Sequence, residues 1–197
     1  MIPDSYIAFV LFVIVMTGTP GAGNLSMMAL GQSVGFRAAL PFLAGTTVGA
    51  LCLNTLVGVG LGGLLLASPR AAWGLRCAGM AYIVYLAWKI VTMRVGMAGA
   101  TERLTFVQGV FLHPTNPKSW AMSVVGFSQL AGTGWPFGQR LAVFLLTFLV
   151  FQVTCHSLWG VAGMALMRLL SSRAVHQAVT VFLAVAMVGA TAYALFL

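Results

Sequence analysis

The stretch Thr17-Gly18-Thr19-Pro20-Gly21-Ala22-Gly23-Asn24 decides the fold. It follows an apolar run, residues 7–16, that is too short to cross a bilayer, and it precedes renewed helical character through Leu25-Ser26-Met27-Met28-Ala29-Leu30. Proline removes a backbone hydrogen bond and glycine loosens the chain, so the sequence predicts one helix broken in two. The same design recurs. Residues 106–112 form a second short apolar run, His113-Pro114-Thr115-Asn116-Pro117-Lys118 interrupts it, and residues 120–130 resume it.

Working outward from the breaks, residues 38–67, 71–91, 141–167 and 175–197 are apolar runs long enough to span a membrane. The expectation is an all-α polytopic membrane protein of about six spans, arranged as two inverted three-helix repeats that each open with a broken helix. In this reading residues 1–197 are one transmembrane domain, with a first repeat (1–93), a polar cytoplasmic loop (94–105) and a second repeat (106–197). Composition agrees: 60% of the 197 residues are hydrophobic, 6% are charged, and mean hydropathy is +1.01. Too few charges remain to coat a surface facing water.

The net charge of +8 comes from ten Lys/Arg and two acids. On a soluble protein that balance would suggest nucleic acid, but here the bases lie at the ends of apolar runs, where they hold loops in the cytoplasm and meet anionic lipid. With the N-terminus outside, inner loops hold Arg37, Lys89, Arg94, Arg103, Arg168 and Arg173, against Arg70, Arg76 and Arg140 outside. Both termini are therefore expected outside. Asp4 stands where a secretory signal would carry basic residues, so the first segment reads as retained. Cys52, Cys77 and Cys155 fall inside apolar runs, lack metal-ligand spacing and read as small core hydrophobes.

Breaks at membrane depth are tolerated where protein or a wet cavity satisfies the freed backbone, and a half-helix N-terminus there favours an anionic group. Candidate substrate-binding residues are Thr19, Pro20, Gly21, Gly23 and Asn24 at the first break, and Asn116, Pro117 and Lys118 at the second. Lys118 is the base flanked by a helix break instead of a membrane boundary, and an intramembrane ammonium is costly unless paired or hydrated. The alternatives are a packing kink at Pro20 and a snorkelling or carbonyl-capping Lys118. Asn54 and His156 are candidates for the pathway or for proton coupling, although each can also serve as an interhelical hydrogen-bonding group. His113, His156 and His176 are dispersed, without a carboxylate partner or ligand spacing, so neither a metal site nor an enzyme is expected.

Taken in order, Thr19-Pro20-Gly21 with Asn24, Gly35-Phe36-Arg37, Gly45-x-x-x-Gly49, Gly79-x-x-Tyr82-x-x-Tyr85-Leu86-Ala87-Trp88-Lys89 and Asn116-Pro117-Lys118 resemble the lysine-exporter (LysE/RhtB) family of amino-acid efflux proteins. The resemblance implies a six-helix exporter of the bacterial inner membrane, driven by an ion gradient, with protons the expected coupling ion and no ATP site or other cofactor. Residues 78–90 look most like members that export cysteine and related small neutral solutes.

Two positions depart from the family pattern: Ala22-Gly23 replaces a second proline with Asn or Asp, and Ala50 replaces an acid after the second glycine. Without an intramembrane carboxylate, small neutral amino acids are expected over cationic ones. A small channel or a non-transporting assembly factor is the alternative, with the glycine-rich second span as an oligomer interface. The same small-residue faces admit a homodimer or packing within one subunit.

Overall fold

The computed structural model describes residues 3–62, 67–92, 104–169 and 172–196, and these are helical and strand-free apart from short connections. The helices are α1 (Asp4–Gly18), α2 (Ala22–Val34), α3 (Phe36–Gly58), α4 (Pro69–Thr92), α5 (Phe106–Leu112), α6 (Pro117–Gln129), α7 (Phe137–Leu169) and α8 (Arg173–Phe196), with a 3-10 turn at Leu130–Thr133 after α6. Four of them, α3, α4, α7 and α8, contain segments long and apolar enough to cross a membrane. The pair α1 and α2 makes a fifth candidate, bent by 45° at the first break. The polar stretch 94–103 lies outside the described residues.

The span expected over residues 38–67 ends earlier. Helix α3 stops at Gly58, and the chain turns at Gly60, whose φ of +97° is a conformation that side chains with a Cβ rarely adopt. The first break is also narrower than the sequence suggested, since helix resumes at Ala22. Cys52 and Cys77 do not join the core: both are exposed on the helix bundle's outer surface, and Cys155 alone approaches a polar neighbour, Thr17 Oγ1, at 3.6 Å. An apolar outer surface carries no hydration penalty in lipid, so a cysteine there needs no burial.

Glycines set how close the helices approach. A Cβ added at Gly45 would lie 2.0 Å from the Phe106 carbonyl oxygen, and one at Gly49 2.1 Å from that of Val110, so α3 and α5 touch backbone to backbone. Likewise, Gly31 of α2 faces the carbonyl of Gly160, and Gly163 of α7 faces that of Met28. The Gly45/Gly49 stripe is thus occupied within the chain and is not free to hold a second copy. At the opposite end of the bundle, aromatic side chains do the packing: Phe9, Phe144 and Phe148 are buried, with ring centroids 5.0 to 6.1 Å apart.

Candidate functional site

The first break exposes the carbonyls that end α1, and two side chains satisfy three of them. Asn24 Nδ2 donates to Thr17 O (2.7 Å) and Thr19 O (2.8 Å), while Trp159 Nε1 donates to Gly18 O (3.2 Å). This arrangement lets an interrupted backbone persist where water is scarce. It also revises the role expected of Asn24: both of its N–H bonds go to the break, and its Oδ1 is buried without a hydrogen-bond partner.

The two half-helix N-termini differ. Gly21 precedes α2 in extended conformation and offers no side-chain cap, and the Leu25 amide is the one that bonds back to Gly21 O. At the second break Asn116 caps α6, its Oδ1 accepting from Lys118 N at 3.0 Å, with Pro117 at the first helical position. Asn116 is therefore a helix cap first, and α2 supplies the uncapped end. Trp120 Nε1 donates to Pro114 O (2.8 Å) and steadies the loop between α5 and α6.

The breaks converge on one small cavity of about 50 Å³. Thr19, Gly21, Gly23 and Asn24 line it from the first break, Asn116 and Lys118 from the second, and Gln152 and His156 from α7. Lys118 is half-buried and reaches across to the other break: a Cβ at Gly21 would lie 3.6 Å from its Nζ. No acidic residue lines the cavity. Pro20 is not among its walls, Pro117 faces the neighbouring cavity instead, and Asn54 accepts a hydrogen bond from Ser123 Oγ, clipping α3 to α6 away from the breaks.

A residue that the sequence did not single out completes the site. His113 opens the second break, and its ring stacks on His156 with centroids 5.7 Å apart and planes 17° from parallel. Its Nδ1 lies 3.0 Å from Ser119 Oγ and its Nε2 3.0 Å from Gln152 Nε2, whereas His156 Nδ1 is buried without a partner. The two imidazoles are 43 positions apart in the chain, and the available signal was the place of His113 at the break itself. His176 lies elsewhere, bonded to Gln32 at the far end of α2.

Profile comparison matches residues 14–196 to the LysE type translocator family. The chain belongs to that family. LysE type translocators are transporters and not enzymes, and the apolar helices fit a multi-pass membrane protein. Among relatives of this LysE type translocator, a cysteine/O-acetylserine efflux protein of Escherichia coli O1:K1 / APEC is 31% identical over 175 residues, covering 86% of this chain and 87% of the relative. The protein of the same description from Escherichia coli strain K12 is 30% identical with the same coverage. An uncharacterized membrane protein of Vibrio cholerae serotype O1 is 30% identical over 63% of each chain. No solved structure matches.

Proposed function

We propose that this LysE type translocator is a secondary exporter of small neutral amino acids or related metabolites across the bacterial inner membrane, coupled to proton movement. The observation that carries this reading is the convergence of both breaks on one cavity with an uncapped helix N-terminus, one ammonium and no acidic residue. A zwitterion complements that set: its carboxylate meets the α2 amides and Lys118, and its ammonium meets Asn24 Oδ1, which otherwise lacks a donor. The efflux proteins that this chain is similar to, described by cysteine and O-acetylserine, support the same substrate class.

In this reading α5 and α6 together form a sixth span, and residues 1–93 and 106–197 are inverted repeats joined by a cytoplasmic loop at 94–105. The packing supports it: the first broken helix lies along α7 of the second half, and the second lies along α3 of the first half. The halves rock about the breaks to expose the cavity alternately. The stacked His113 and His156 form the proton carrier, because two imidazoles this close hold one positive charge far more readily than two. Both termini face outward, lipid surrounds the bundle, and one chain completes the site.

Efflux from preloaded vesicles tests the assignment. Lys118→Ala and Asn116→Ala, each confirmed to be expressed and inserted, should abolish export. Undiminished efflux from both variants would sink the site, and comparison of extracellular amino acids with and without overexpression would name the solute.

A further inference from the structure

The break cavity is narrow and suits a polar head group better than a long side chain. Its volume is about 50 Å³. A second cavity, of about 280 Å³, adjoins it and shares three of its walls, Met16, Lys118 and Met122. That size approaches the lower end of small-molecule sites, about 300 Å³. Its remaining walls are chiefly apolar, with Phe12 of α1 and Leu75 of α4 prominent, and they include no acidic residue. The charged groups facing it are Lys118 and Arg76. Arg76 is the less expected of the two, since it lies inside an apolar helix, as the eighth residue counted from Pro69.

We propose that this second cavity is the side-chain subsite of the transporter, shaped for an uncharged aliphatic or thioether side chain, and that Arg76 is a specificity-determining residue that excludes cationic side chains. The inference rests on the export reading above and extends it. The head group occupies the break cavity, and the side chain extends between α1, α4 and α6 against Phe12, Leu75 and Met122. A lysine-like side chain placed there would meet two like charges with no carboxylate among the cavity walls to balance them. A leucine or methionine side chain would replace water against apolar walls, which is favourable.

Proteoliposomes carrying the full chain, preloaded with alanine, leucine, methionine or lysine, test it. Ala121 also lines the cavity, so Ala121→Phe fills it, and the leucine-to-alanine ratio of kcat/KM should fall by about tenfold or more. Arg76→Glu should bring lysine into the transported set, and Arg76→Gln should raise the lysine-to-leucine ratio by a smaller factor without introducing an acid. Unchanged ratios in Ala121→Phe and in both Arg76 variants, with leucine still exported, would overturn the subsite while leaving the export reading intact. A wild-type protein that exports preloaded cysteine but none of the four would overturn the subsite, and one that exports neither cysteine nor any of the four would overturn both.

Discussion

Asn24 illustrates how much one side chain can carry at a break. Its two N–H bonds hold the Thr17 and Thr19 carbonyls that Pro20 and Gly21 leave without helical partners. Asn24→Ala strands both oxygens, at about 1–3 kcal/mol for each buried group, and should lower the thermal midpoint of the detergent-solubilised protein by several degrees. Asn24→Asp should fare no better, because a carboxylate cannot donate to either carbonyl. A midpoint unchanged in both variants would remove Asn24 from this role. Gly23 is constrained differently: a Cβ there would sit 2.4 Å from His156 Nε2 and 2.9 Å from its Cε1. Gly23→Ala should therefore cost about 1–3 kcal/mol through overpacking, and most of that cost should vanish in a His156→Ala background. A thermal-stability double-mutant cycle reads the coupling directly. Additive losses would mean that the ring is not what Gly23 accommodates.

Among the helices, backbone-to-backbone contact separates the glycines that matter from those that do not. Gly49→Ala directs a methyl at the Val110 carbonyl, an atom that cannot move aside without shifting α5, so it should destabilise the protein by about 1–3 kcal/mol or more. Gly74→Ala on α4 meets nothing within 4 Å and should be neutral or stabilising by up to about 1 kcal/mol through helix propensity. Equal effects in thermal unfolding would refute the distinction. The sequence shows the spacing of Gly45 and Gly49 but not the partner, because nothing local says that residues sixty positions later lie against them. The breaks were legible for the opposite reason: Pro20, Gly21, Asn116 and Pro117 act on their own backbone. The histidine pair was not, since stacking depends on how α7 lies across the second break. Asn54 was legible only as a polar residue inside a span, which looks the same whether it lines a pathway or clips two helices.

For the molecule as a whole, the two kinds of packing sit at opposite ends. Glycines bring backbones into contact where α2 ends and α3 and α5 begin, while aromatic rings fill the end where α1 and α7 begin. The larger cavity lies among α1, α4 and α6, on the aromatic side of the breaks. Which end faces the cytoplasm depends on orientation, and the basic residues argue it: Arg37, Lys89, Arg168 and Arg173 belong to helix ends on the glycine-packed side, the side that the sequence reading assigns to the cytoplasm in a chain with its N-terminus outside. On the proposed orientation the glycine-packed end is cytoplasmic and the larger cavity lies in the outer half of the bundle. Ala131, exposed in the turn after α6, reports on this. Ala131→Cys, in a background where Cys52, Cys77 and Cys155 are replaced, should react with a membrane-impermeant thiol reagent added outside intact cells and resist the same reagent confined to the cytoplasmic face. Reaction from the cytoplasmic face alone would invert the assignment and place the larger cavity in the cytoplasmic half of the bundle.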